Sequence, residues 1–125
     1  MGLFDMFKKR LTFVFNEEYN RYEAKMNDII FTCEQVRNDY EKDAIKLASV
    51  YEQKLTEIIA FLLSDIQEVF GVNDVELIRQ SLGTPEIDLD NHRLSYLNQT
   101  LDDVHIIDIE YNGLLDEFLY SNIDG

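Results

Sequence analysis

Residues 17–70 read EEYNRYEAKMNDIIFTCEQVRNDYEKDAIKLASVYEQKLTEIIAFLLSDIQEVF, and the stretch contains neither proline nor glycine. Apolar residues fall at Tyr19, Tyr22, Met26, Ile29, Cys33, Val36 and Tyr40, then at Ala44, Ala48, Tyr51, Leu55, Ile58, Leu62, Ile66 and Val69. Both series have helical spacing. Two successive steps of four, from Tyr40 to Ala48, shift the phase of the stripe. One helix over the whole span would be about 80 Å long, more than a small domain's diameter. The reading is therefore two antiparallel helices broken at Arg37-Asn38-Asp39-Tyr40-Glu41, where Asn38 can cap and Glu41 can reach back to it. The stripe is read first as an internal core and second as a coiled-coil seam, because flanking charges show no sustained pairing.

Gly71 supplies a left-handed stop for the second helix. Asn73-Asp74-Val75-Glu76 has the cap-plus-acid spacing that opens a short third helix, with Val75, Ile78 and Leu82 on one face and Gly83 and Pro85 closing it. After Pro85 the apolar period changes to two, which predicts strands. Asn112-Gly113 suits a type I′ hairpin turn. A two-residue loop there places Ile109 opposite Asp116, Asp108 opposite Glu117, Ile107 opposite Phe118 and His105 opposite Tyr120. One face then carries His105, Ile107, Ile109, Tyr111, Leu114, Phe118 and Tyr120 and is expected to lie under the helices. The other holds Ile106, Leu115 and Leu119 beside Asp108, Glu110 and Glu117. Upstream, a hairpin around Asp90-Asn91 pairs Ile87 with Leu94 and Asp88 with Arg93. The expected fold class is α+β: a long N-terminal helical hairpin and a short third helix, packed on one face of a C-terminal antiparallel four-stranded meander. All 125 residues are expected to form a single domain, with an N-terminal arm over 1–15, a helical layer over 16–82 and the sheet over 83–125.

Charge is distributed unevenly along this chain. Met1 to Leu62 carries nine basic and eleven acidic side chains, net −2, whereas Leu63 to Gly125 carries fourteen acids against Arg79 and Arg93, net −12. Such a field repels nucleic acid and anionic lipid and attracts cationic protein. Cys33 stands alone, so no intramolecular disulfide forms, and the N-terminus has no secretory pattern, which predicts a cytoplasmic protein. The opening Met1-Gly2-Leu3-Phe4-Asp5-Met6-Phe7-Lys8-Lys9-Arg10 could form an amphipathic turn. Met6 breaks the myristoylation pattern, however, and a short unlipidated segment gives no stable membrane association.

No cofactor or metal is expected. Asp88-Leu89-Asp90-Asn91 lacks the glycine and glutamate of a calcium loop, and His92, His105 and Cys33 lack zinc-site spacing. No phosphate loop or nucleophile elbow is present, so the chain is not read as an enzyme.

The segment from about Phe70 to Gly125 contains Ser81-Leu82-Gly83-Thr84-Pro85, Ser95-Tyr96-Leu97, Thr100-Leu101-Asp102-Asp103-Val104-His105-Ile106-Ile107, Tyr111-Asn112-Gly113 and Ile123-Asp124-Gly125. It resembles small uncharacterised bacterial cytosolic proteins, some of which look like immunity partners encoded beside toxins. The resemblance implies no catalytic residues. With the charge, it leads to the expectation of an acidic binding module, an immunity or antitoxin-like inhibitor filling a toxin's basic cleft. Asp102, Asp103, Asp108, Glu110 and Glu117 would steer the partner, and Leu115 and Leu119 would anchor it. The alternatives are a helical scaffold that pairs with a second copy through the Tyr19–Tyr40 helix, and an anti-defence inhibitor that mimics nucleic-acid charge.

Overall fold

The computed structural model describes residues 10–125. The Met1–Arg10 segment weighed as an amphipathic turn, apart from Arg10, and most of the expected N-terminal arm lie outside the described residues.

The first correction falls in the opening half of the 17–70 stretch. Residues expected to be helical are instead strands, β2 (Arg21–Met26) and β3 (Ile29–Cys33), and a short strand β1 (Val14–Asn16), mostly from the expected N-terminal arm, precedes them. The turn between β2 and β3 is Asn27-Asp28, with φ of 53° and 61°. Left-handed geometry at both positions is what a type I′ hairpin needs, and Asn and Asp tolerate it better than most residues. Tyr22, Ala24 and Met26 on one arm and Ile29, Phe31 and Cys33 on the other alternate with polar or smaller residues and share one face. Steps of four from Tyr22 to Met26 and from Ile29 to Cys33 are also multiples of two. The two-residue turn inserts a step of three between them, and the resulting 4-3-4 series is numerically helical. The β-branched and aromatic run Ile29-Ile30-Phe31-Thr32 favours a strand.

Only the second half of the stretch is helical: α1 spans Tyr40–Phe70, 31 residues, about 46 Å of helix. Asp39, not Asn38, occupies its N-cap, and no side chain caps it. Glu41 reaches outward to accept the Leu11 backbone N–H at 2.9 Å. Gly71 ends α1 at φ 70° with its N–H bonded to the Gln67 carbonyl. In α2 (Val75–Ser81), Asp74 caps by accepting from the backbone N–H groups of Glu76 and Leu77. Ile78 and Leu82 are buried, but Val75 is exposed.

The strands β4 (Glu86–Asp88), β5 (Arg93–Tyr96), β6 (Ile106–Asn112) and β7 (Glu117–Asp124) follow. All seven strands form one mixed sheet in chain order, β1 through β7, with β3 and β4 parallel and every other pair antiparallel. A parallel pair needs a crossover, and α1 and α2 supply it. The expected helical hairpin on a four-stranded meander is thus replaced by two short meanders joined into one sheet by a helical crossover. The expected helical layer over 16–82 starts with strands. No helix exists over Tyr19–Tyr40, which removes the seam proposed for a scaffold.

Helix α1 buries Tyr51, Leu55, Ile58, Leu62 and Ile66 in a core shared with the sheet. Phe31, Ile87, Leu94 and Ile109 lie in register across four strands, each fully buried. The Tyr51 and Tyr96 hydroxyls meet at 2.5 Å and fasten helix to sheet; burial pushes the Tyr51 hydroxyl up to about 12. Cys33 lies in the same core, and burial pushes its thiol up to about 11, which makes it a poor nucleophile.

Candidate functional site: the open face of the sheet

Helices cover one face of the sheet. The opposite face carries alternate residues whose register places them in rows. One row runs Glu23, Thr32, Asp88, Arg93, Glu110 and Tyr120; the next runs Lys25, Ile30, Glu86, Ser95, Asp108 and Asn122. Asp124, opposite Ile106, continues the β7 side.

The two halves of this face differ electrostatically. On the β2–β4 side, Arg21 lies between Glu23 at 2.6 Å and Glu86 at 2.5 Å. Burial alone would lower the Arg21 pKa and raise that of Glu23. The bonds to Glu23 and Glu86 nevertheless hold Arg21 above its ordinary value, and those from Asn16 and Arg21 hold Glu23 below its own. Arg21 and Lys25 thus offset Glu23 and Glu86 on this half, which leaves Asp88 in the same rows. On the β5–β7 side, among the described residues, Asp108, Glu110 and Asp124 face Arg93 alone, which reaches Glu110 at 3.9 Å with both side chains nearly half exposed. An exposed pair at that distance contributes little. Asp108 accepts from the Ser95 hydroxyl at 2.5 Å and Asp124 from the Asn122 amide at 2.5 Å; both bonds orient a carboxylate without cancelling its charge. Arg93, Asp108, Glu110, Tyr120, Asn122 and Asp124 line a depression of about 250 Å³.

The observed β6–β7 register differs from the expected one. Tyr111 faces Phe118 and Asn112 faces Glu117 across a four-residue turn, Gly113 to Asp116. An irregularity between Glu110 and Tyr111 then leaves Leu119 unpaired and moves Glu110 opposite Tyr120. Asp108 therefore faces Asn122 in place of Glu117. Tyr120, expected under the helices, lies on the open face. Leu115, expected as a partner anchor, is fully buried at φ 62°. A two-residue turn would have pushed Leu115 onto the solvent side. Burying a leucine is worth about 1.5–3 kcal/mol, against about 1–2 kcal/mol for a left-handed non-glycine residue, so the wider turn wins. Asp116 supports it by accepting the Leu114 N–H at 3.0 Å.

The hairpin around Asp90-Asn91 pairs Ile87 with Leu94 and Asp88 with Arg93 as the alternation predicts. Arg93 extends towards Glu110, however, and Asp88 accepts from Asp90, Asn91 and the Asn91 amide within its own turn. Among the described residues, Arg93 is therefore the internal counter-charge of the acidic face.

Asp102 belongs to the loop, not to the open face. Its carboxylate accepts the His105 and Val104 N–H groups at 3.0 Å, the Gln99 amide at 3.0 Å and contacts His105 Nδ1 at 2.5 Å. Those bonds, led by the His105 backbone N–H, hold its pKa far below the usual carboxylate range. Asp103 stays exposed beside it. Of the expected site residues, Asp108, Glu110 and Glu117 share the open side, Glu117 lying past the others next to the turn and accepting from Asn112. Leu119 is 51% exposed. Tyr120, Asn122 and Asp124 join the site without having been foreseen, because their side depends on the bulge at Leu119.

Among the described residues, no group of three or more His, Cys, Asp or Glu side chains is placed to hold a metal, and no helix is long and apolar enough to cross a membrane. Comparison with family models, curated proteins and solved structures finds no match.

Proposed function

We propose that this protein is a cytoplasmic binding module whose open sheet face receives a cationic protein, as an immunity or antitoxin-like inhibitor does when it fills the basic cleft of a toxin. One observation carries the reading: Asp108, Glu110 and Asp124 are held on neighbouring strands of one face with, among the described residues, only Arg93 as a weak counter-charge. Carboxylates fixed in this way need no reorganisation to meet a cationic surface, and the net charge of −14 steers the approach. Tyr120 and Leu119, exposed beside them, provide apolar contact of the kind found at binding hot spots. The role is binding, not catalysis.

Reversal of the three acids tests this. The partner captured from the native cell by the wild-type chain should be rich in lysine or arginine, and its association rate should fall steeply with salt. Asp108→Lys, Glu110→Lys and Asp124→Lys together should slow association about tenfold or more while thermal unfolding stays close to wild type. An unchanged rate in a folded triple variant would remove this face from the interaction.

A further inference from the structure

We propose that the free edge of β7 is itself a docking site, which takes up an extended strand of the cationic partner as an eighth strand of the sheet. The proposal rests on the reading of the acidic face and adds the mode of binding. β7 is eight residues long and closes the sheet, with no strand on its outer side among the described residues. Natural edges of this length are usually blunted by charged side chains, lysine above all, by proline, by a bulge or by a covering element. β7 carries a bulge at Leu119, but from Tyr120 to Asp124 its pairing is regular, it has no lysine or proline, and Leu119 and Tyr120 are more than half exposed.

The ladder identifies which backbone groups are free. The Tyr111 N–H bonds to the His92 carbonyl on the β5 side. In an antiparallel ladder successive residues point their backbone groups in opposite directions, so Glu110, Asp108 and Ile106 direct theirs to β7. Their partners Tyr120, Asn122 and Asp124 bond back to β6. The N–H and C=O groups of Ser121 and Ile123 therefore point outward, available to another strand.

Charge and register select the occupant. A strand added here places alternate side chains next to Tyr120, Asn122 and Asp124 on the open face. Asp108 and Glu110 lie one strand further in, about 10 Å away, within the span of a long basic side chain laid across Asn122 or Tyr120. The intervening side chains fall on the covered side, beside Ile123, which packs against the core, and Ser121, whose hydroxyl donates to Asp65, so the one at Ile123 is apolar and the one at Ser121 small. The fitting partner segment thus alternates Arg or Lys with a small apolar residue such as Val. A second copy fits poorly: full antiparallel overlap of two β7 strands sets Glu117 opposite Asp124 at both ends and joins two chains of net charge −14.

The test is amide exchange on the full chain, followed by NMR, with a capped eight-residue peptide alternating arginine and valine as the probe. Exchange at Ser121 and Ile123 should slow about tenfold or more, while Tyr120 and Asn122, already bonded to β6, should change little. A glutamate–valine peptide should give no protection. No slowing at Ser121 and Ile123, equal protection by the acidic peptide, or protection that rises with protein concentration alone would each overturn the proposal. The Asp108→Lys, Glu110→Lys, Asp124→Lys variant separates the two claims. If it binds the peptide undiminished and at the same amides, the acidic-face reading fails and the edge stands. If the wild type binds the peptide in a charge-dependent way without slowing those amides, the edge proposal fails and the face stands.

Discussion

Leu115 combines a left-handed backbone with a fully buried side chain, so a substitution there separates strain from burial. Leu115→Ala keeps the strained backbone and loses the burial, and should lower stability by about 2–4 kcal/mol in chemical denaturation. It should leave partner association unchanged, because the side chain never meets solvent. A stability near wild type would mean that Leu115 lies outside the core. Asp102 acts at the same scale through charge. Its folded pKa is depressed, so its contribution is complete above the ordinary carboxylate range and disappears as pH falls through the folded value. The melting-temperature gap between wild type and Asp102→Asn should be widest near neutral pH and narrow as pH drops below about 4; a gap independent of pH would contradict this role. Asp102 and Leu115 were both legible as an acid and an apolar residue near a turn. Their actual roles were not, since each depends on loop geometry that no periodicity encodes.

At the scale of elements, β2 and β3 show how one apolar pattern supports two readings. The spacing of Tyr22, Met26, Ile29 and Cys33 satisfies a helix as well as it satisfies two strands around a tight turn, and the absence of glycine hid the turn. Asn27-Asp28 carried the signal, because both residues tolerate left-handed geometry. Asp28, at φ 61°, is strained where glycine would not be. Asp28→Gly should therefore raise stability by about 0.5–1 kcal/mol in denaturant titration; a loss would argue against the I′ hairpin. The second half of the stretch, α1, was legible because ten buried residues repeat on one face over 31 positions and Gly71 stops the helix. The β4–β5 pairing was legible from simple alternation. The β6–β7 register was not, because two consecutive leucines after Asn112-Gly113 compete for one buried place, and the chain widened its turn to bury Leu115.

On the scale of the whole molecule, the sheet converts a charge bias along the chain into one side of an object. The sequence showed an acid excess after Leu62, yet which acids would gather depended on rows assembled from β4 to β7. Arg21 and Lys25 offset Glu23 and Glu86 on one half of the open face, and on the other half Arg93 alone among the described residues stands against Asp108, Glu110 and Asp124. Tyr120 lies in that second half, next to Glu110 across the β6–β7 pair. The most direct measurement places a photo-crosslinking residue at Tyr120 and, as a control, at Glu57 on the solvent side of α1, in the native cell. An adduct with a lysine- or arginine-rich protein is expected from position 120 alone, lost when Asp108, Glu110 and Asp124 are reversed to lysine. Equal adducts from both positions, or a position-120 adduct that survives the reversal, would contradict the proposed function.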